Sequence, residues 1–114
     1  MEPITRDELK CVLDSRKDLV LVEVIGPNTY REYHLPGAIR VPVDENFEQE
    51  IQMAIPDKSK PVVVYCLNQA CNASPKAARK LDQLGYEEVY DYEAGKRDWK
   101  AAGLPIETGL PIED

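Results

Sequence analysis

The sequence predicts an α/β fold in which helices pack on a small parallel sheet. Short runs of apolar, mostly β-branched residues lack the alternation of a half-exposed strand, which is typical of strands covered on both faces. Between these runs lie stretches whose apolar residues recur at helical spacing. This alternation of strand and helix is what a parallel sheet with crossover helices requires.

The segment 6–14 is predicted to form the first helix. Thr5 followed three residues later by Glu8 is a capping box, in which each side chain satisfies a free amide at a helix start. The apolar residues of the segment share one face, whereas Cys11 falls among charged residues on the opposite side. Cys11 is therefore expected to be partly exposed.

Four strands and two further helices are predicted along the rest of the chain. The clearest strands are 19–24 and 61–65, and weaker ones are 39–41 and 88–92. Each of the two helices has an apolar stripe that can lie on the sheet. The stripes consist of Phe47, Ile51, Ala54 and Ile55 in the first helix and of Ala77, Ala78, Leu81 and Leu84 in the second.

Composition and charge exclude several classes of function. A formal net charge of −7 and a pI near 4.7 argue against nucleic-acid binding, and the acidic stretch 44–50 is interpreted as a solvated helix face. No apolar run approaches the roughly 20 residues that a membrane-spanning helix needs. Three cysteines without a secreted disulfide pattern favour a reducing compartment. We expect a cytoplasmic protein that binds neither nucleic acid nor membrane.

The segment 62–78 is the most informative, because it has the pattern of a strand, a loop and a helix. Ser74 is a strong N-cap residue and Pro75 suits the first helical position, so the helix is predicted to begin there. Cys66 then lies at the carboxyl end of a parallel strand, where open α/β sheets bind ligands and where amides stabilise a thiolate. Cys66 is a candidate nucleophile, although the pattern also fits an inert cysteine that ends a buried strand.

Cys71 lies in the same loop and has two interpretations. It is either an incidental thiol or a resolving thiol that forms a reversible disulfide with Cys66. The two alternatives differ in the distance between the Cα atoms, which must be within about 6 Å for a bridge to form without backbone movement. A metal site is not predicted, because these two cysteines lack a second pair of ligands. A cysteine phosphatase would need an arginine at the close of the loop, where Asn72 stands.

Two further segments resemble rhodanese-like domains. Residues 30–38, Tyr-Arg-Glu-Tyr-His-Leu-Pro-Gly-Ala, are similar to the family's element of an aromatic residue, three residues, His, an aliphatic residue, Pro, Gly and Ala. Residues 84–99 resemble the family's closing stretch, with Ala94 where the first glycine of a pair is common. We interpret 1–104 as a rhodanese-like domain, with three layers and helices on both faces of the sheet, and 105–114 as a C-terminal tail that is loosely packed or frayed.

The resemblance implies a rhodanese-type sulfurtransferase. Cys66 would accept sulfane sulfur as a persulfide from a small-molecule donor such as thiosulfate and pass it to a thiol acceptor, small or carried by a protein. No cofactor is implied. The alternative is a non-catalytic persulfide carrier or a thiol redox module that uses Cys66 and Cys71. The loop expected to hold the persulfide consists of Leu67, Asn68, Gln69, Ala70, Cys71, Asn72, Ala73 and Ser74.

The loop departs from the family pattern in length and charge. Seven residues separate Cys66 from Ser74, which is longer than usual in the family, and neither Lys nor Arg occurs between Cys66 and Pro75. A reshaped pocket and poor use of anionic thiosulfate are therefore expected. The resemblance implies a structural role for His34, and Trp99 is expected in the core or a pocket wall.

Overall fold

The computed structural model describes residues 1–16 and 18–109. The strands are β1 (Glu2–Pro3), β2 (Val20–Glu23), β3 (Ile39–Arg40), β4 (Val62–Tyr65) and β5 (Val89–Tyr92). The helices are α1 (Arg6–Ser15), α2 (Pro27–Glu32), α3 (Phe47–Ala54), α4 (Ala73–Gln83) and α5 (Gly95–Ala101). The five strands form one parallel sheet in the order β1-β5-β4-β2-β3. This confirms the predicted α/β class and the parallel sheet.

The sheet carries a separate apolar core on each face, because successive side chains of a strand point to opposite sides. Val62 and Val64 of β4 pack with α3 and α4, whereas Val63 and Tyr65 pack with α1, α2 and α5. All four residues of β4 are buried, as the absence of alternation predicts. Helices thus cover both faces, and the predicted three-layer architecture is confirmed.

The first helix begins as the sequence predicts. The Thr5 hydroxyl accepts a hydrogen bond from the Glu8 amide at 3.2 Å, and the Glu8 carboxylate accepts one from the Thr5 amide at 2.9 Å. Cys11 is exposed, in agreement with its place on the charged face. Ala54, assigned to the apolar stripe of α3, is exposed, so that assignment is wrong; the residue buried at this end of the helix is Ile55, the C-cap.

Three elements are absent from the predictions. Strand β1 has only two residues and is defined by its pairing with β5. Helices α2 and α5 have six and seven residues, too few for a helical period to stand out in a sequence. No helix within 1–16 and 18–109 is long and apolar enough to cross a membrane.

The start of α4 differs from the prediction. Ala73 is already helical and Asn72 occupies the N-cap position, so Ser74 and Pro75 lie within the first turn. Ser74 is buried at 2% exposure, on the side of Asp91 in β5, and does not cap the helix. A proline in the first turn is tolerated because the amide that it lacks has no acceptor within the helix.

Residues 105–109, part of the predicted tail, are bound to the rest of the fold. The Trp99 indole donates to the Pro105 carbonyl at 2.7 Å, and His34 and Glu107 form an antiparallel bridge with N···O distances of 2.8 and 2.9 Å. These bonds satisfy the backbone after α2, so this part of the tail is neither loose nor frayed. Residues 110–114 lie outside the described residues, and the division into 1–104 and 105–114 stays a prediction.

Candidate active site around Cys66

Cys66 directly follows β4, the middle strand of the sheet. Its neighbours in register are β2 on one side and β5 on the other, so the residue lies at the carboxyl edge of three parallel strands. The side chain is only 1% exposed. The predicted loop residues Leu67, Asn68, Gln69, Ala70, Cys71 and Asn72 follow it, and Ala73 and Ser74 open α4.

The loop is folded back on itself by Asn68. Its side-chain oxygen accepts from the Ala70 amide at 3.0 Å, and its carbonyl accepts from the Cys71 amide at 3.2 Å. Asparagine commonly makes such turns. The amides of Leu67, Asn68 and Gln69 donate to no acceptor in the described part of the chain.

This turn brings the two loop cysteines together. Cys66 and Cys71 are joined by a disulfide, with 6.3 Å between their Cα atoms. Disulfides usually span about 4.4–6.8 Å between Cα atoms, so the pair can bridge without displacement of the backbone. In this oxidised form Cys66 has no thiolate with which to attack a donor. The role of Cys71 as a resolving thiol stays a prediction.

The start of α5 is hydrogen-bonded to the backbone of the loop. The Lys96 amide donates to the Cys66 carbonyl and the Arg97 amide to the Leu67 carbonyl, each at 3.0 Å. Gly95 has φ +80°, and a Cβ atom there would come within 2.6 Å of the Asn68 nitrogen. Only glycine permits this approach. Ala94, by contrast, has φ −63°, which explains why alanine can replace the first glycine of the family's pair.

A buried ion pair lies behind the loop and fixes α5 to the sheet. Lys96 and Glu23 are 1% and 0% exposed, and the Lys96 Nζ lies 3.1 Å from the Glu23 Oε2. The ammonium also donates to the Thr29 and Tyr33 carbonyls and lies 4.6 Å from the centre of the Tyr33 ring. Its three hydrogens therefore each have an acceptor.

The same network reaches the residue before Cys66. The Tyr65 hydroxyl donates to the Glu23 Oε1 at 2.9 Å and accepts from the Leu35 amide at 3.2 Å. Burial raises the pKa of Glu23 and lowers the pKa of Lys96, and the attraction between the two opposes both shifts. Burial also raises the pKa of Tyr65, which keeps this hydroxyl protonated as a donor.

Sequence reasoning missed this network. The available signal was Glu23, a charged residue at the end of an otherwise apolar strand, but its partner lies 73 residues away. His34 is buried, its Nδ1 lies 2.8 Å from the Tyr30 carbonyl, and its ring stacks on that of Tyr30 with centroids 3.8 Å apart. These contacts agree with a structural role. Trp99 is buried against Tyr92, as expected for a core aromatic residue.

Comparisons with known proteins agree with this architecture. The thiosulfate sulfurtransferase GlpE of Coxiella burnetii is 32% identical over 89 residues, which are 78% of this chain and 78% of GlpE. The HTH-type transcriptional regulator Rv0324 of Mycobacterium tuberculosis is 32% identical over 113 residues. That match covers 97% of this chain but 47% of the regulator, so this chain spans about half of that relative.

Solved structures and a family model agree as well. The crystal structure of the BH2092 protein from Bacillus halodurans has a TM-score of 0.82 and 28% identity, covering 96% of this chain and 78% of that one. The family model of the rhodanese-like domain matches residues 5–102. This match includes the cysteine loop and both segments on which the resemblance depends. The chain therefore belongs to the rhodanese-like domain family.

Proposed function

We propose that this domain is a sulfurtransferase that accepts sulfane sulfur as a persulfide on Cys66 and passes it to a thiol acceptor. The observation that carries the proposal is the place of Cys66 at the carboxyl end of β4, followed by a loop with free amides. Membership of the rhodanese-like family and similarity to a thiosulfate sulfurtransferase support it.

The reaction needs the reduced form of the loop. The Cys66 thiolate attacks the outer sulfur of the donor, and the donor's own sulfur–sulfur bond breaks. With thiosulfate the leaving group is sulfite, and Cys66 keeps the transferred sulfur as a persulfide. The free loop amides and the amino end of α4 stabilise the negative charge of the persulfide, in the manner of an oxyanion hole. An acceptor thiol then takes the outer sulfur.

The charge of the loop favours donors other than thiosulfate. No Lys or Arg occurs between Cys66 and Pro75, and the formal net charge of the chain is −7. A doubly charged donor would therefore be drawn in by backbone amides alone, against the field of the whole protein. We expect low-molecular-weight persulfides to load Cys66 faster than thiosulfate does.

A second candidate function is a thiol redox module, and the Cys66–Cys71 disulfide favours it. In this alternative the two thiols are oxidised to the disulfide without carrying sulfane sulfur. A reductant of the cell compartment then reduces the disulfide to the two thiols. A cytoplasmic location would supply such reductants, and that location stays a prediction.

The experiment that separates the two functions is loading of the reduced protein with each donor. Thiosulfate and a low-molecular-weight persulfide are added separately, followed by alkylation and peptide mass spectrometry. An added sulfur on the Cys66 peptide, lost in Cys66→Ala and kept in the exposed control Cys11→Ser, is the expected result. Oxidation of the wild-type loop to its disulfide, together with no added sulfur in reduced Cys71→Ala, where an internal disulfide cannot discharge the persulfide, would favour the redox module.

A further inference from the structure

An unpartnered carboxylate lies beneath the cysteine loop. Asp91, the third residue of β5, is 0% exposed, and neither of its side-chain oxygens forms a hydrogen bond with any residue the structure describes. Native proteins almost always pair buried polar groups, and an exception often has a functional reason. The proposed sulfur transfer to Cys66 leaves Asp91 unused.

Asp91 shares a pocket with the second loop cysteine. The pocket has a volume of about 250 Å³ and is distinct from the apolar cores of the sheet. Its lining residues are Gln69, Cys71, Ser74, Pro75, Asp91 and Glu93. Cys71 is half-buried in this wall, whereas Cys66 is enclosed. The carboxylate is thus on the side from which Cys71 approaches Cys66.

The surroundings of Asp91 suit a group that exchanges a proton. The adjacent strands place Val64 and Pro3 beside it in register, and neither carries a charge. Burial raises the pKa of Asp91. The nearby Ser74 hydroxyl, whose geometry falls short of a hydrogen bond to the carboxylate, opposes the rise, Glu93 adds to it, and Arg79 from α4 opposes it. A higher carboxyl pKa lies nearer to that of a thiol, about 8.5, so proton transfer from Cys71 is less uphill.

We propose that Asp91 is the proton acceptor of Cys71 and makes it a resolving thiol that discharges the Cys66 persulfide as hydrogen sulfide. This inference rests on the proposed sulfur transfer for its first step. It assigns to the loop a second reaction, persulfide reduction, in addition to transfer to an external acceptor.

The reaction balances without an external oxidant. Asp91 takes the proton of Cys71, and the Cys71 thiolate attacks the Sγ of Cys66. The bond between that Sγ and the outer sulfur breaks. The outer sulfur takes the electron pair and, from Asp91, the proton that came from Cys71, and leaves as hydrosulfide. The product is the Cys66–Cys71 disulfide found in this structure. An external dithiol then reduces the disulfide and is itself oxidised, and its two protons, one of them passed through Asp91, restore the two thiols.

The inference is tested by single-turnover release of sulfide across a range of pH. Cys66 is loaded with a low-molecular-weight persulfide, excess donor is removed, and sulfide and disulfide are measured over time. We expect Asp91→Asn to load normally but to release sulfide about 100-fold more slowly near neutral pH, which is within the usual contribution of a general base. The difference should vanish at high pH, where Cys71 ionises unaided. The control is Glu87→Gln, an exposed carboxylate outside this pocket, which should behave as wild type.

A wild-type pH profile in Asp91→Asn, or unchanged sulfide release in Cys71→Ala, would overturn the inference. If Cys66 accepts no sulfur, the proposed function fails first, and reduction of the Cys66–Cys71 disulfide by dithiothreitol still tests Asp91. Slower reduction in Asp91→Asn supports its role in proton transfer, and an equal rate refutes it.

A measurement on the wild type guards against a variant that does not fold. Nuclear magnetic resonance of ¹³C-labelled aspartate should show the Asp91 carboxyl titrating at a different pH in the dithiol and disulfide forms. Identical titration in the two forms would refute coupling between Asp91 and Cys71.

Discussion

Gly95 is the position at which one added methyl group should disturb the active-site loop most directly. In Gly95→Ala the new Cβ atom would meet the Asn68 nitrogen and the Leu67 carbonyl carbon, both at 2.6 Å. Both atoms belong to the backbone of the loop, and the Lys96 amide holds the Cys66 carbonyl just beside them. The contact cannot be relieved by rotation of a side chain, so the loop or the start of α5 must move.

Two costs add in this variant. An alanine at a positive φ costs about 1–2 kcal/mol. Forcing an extra carbon into a packed site typically costs about 1–3 kcal/mol more. The free energy of unfolding should therefore fall by about 2–5 kcal/mol, which corresponds to a lower Tm by about 10–30 °C for a domain of this size.

Gly103→Ala isolates the contribution of the contact. Gly103 has φ +76°, close to the +80° of Gly95, but a Cβ atom there would meet no atom of the described residues within 4 Å. Gly103→Ala should therefore lower the free energy of unfolding only by the cost of an alanine at positive φ, about 1–2 kcal/mol. Urea unfolding followed by circular dichroism gives both values, and loading of Cys66 with sulfur is measured in parallel. Equal destabilisation of the two variants, with normal loading in Gly95→Ala, would refute the close packing of α5 against the loop.

Three further perturbations follow from the same contacts. Lys96→Met leaves Glu23 buried without its partner and should lower the free energy of urea unfolding by about 3–5 kcal/mol, and the double variant with Glu23→Gln should lose less than the sum of the single losses. Asp91→Asn should be more stable than wild type near pH 7 by about 1–3 kcal/mol, because an unpaired carboxylate costs more to bury than a neutral amide does. The sign follows from linkage, because burial raises the pKa of Asp91 in the folded state. Below about pH 3.9 Asp91 is protonated in both the folded and the unfolded state, and the stability difference between wild type and Asp91→Asn closes. As pH rises from there through the folded pKa, wild type loses stability and Asp91→Asn does not, so the difference opens. A gap that does not depend on pH would contradict this account. Cys11→Ser should change stability by less than about 0.5 kcal/mol and leave sulfur loading intact, because Cys11 is exposed.

The parts of the fold that the sequence predicts are those with a local physical cause. The capping box at Thr5 satisfies its amides within a few residues, and the unalternating run at β4 reflects burial on both faces. Helices α2 and α5 have no comparable local signal, since each buries only a few side chains against distant elements. Ser74 shows the limit of a propensity: a strong capping residue lies inside the helix because it is buried on the side of Asp91.

In the candidate site, too, some features have a local cause in the sequence and others do not. The position of Cys66 follows from one strand and one loop, and the sequence predicts it. The ion pair of Glu23 with Lys96 and the pocket that joins Cys71 to Asp91 depend on the order of the strands, which no local pattern specifies. Sequence reasoning also left two interpretations of Cys71 open, because the distance to Cys66 depends on the turn made by Asn68.

The central claim is that Cys66 is the residue that accepts sulfane sulfur. Its most direct test is the intact mass of reduced Cys71→Ala after treatment with one equivalent of a low-molecular-weight persulfide, because this variant cannot discharge the product through an internal disulfide. We expect the mass of one added sulfur, located on the Cys66 peptide and transferable to an added thiol. An unchanged mass, or an added sulfur that persists in the Cys66→Ala, Cys71→Ala double variant, would contradict the assignment.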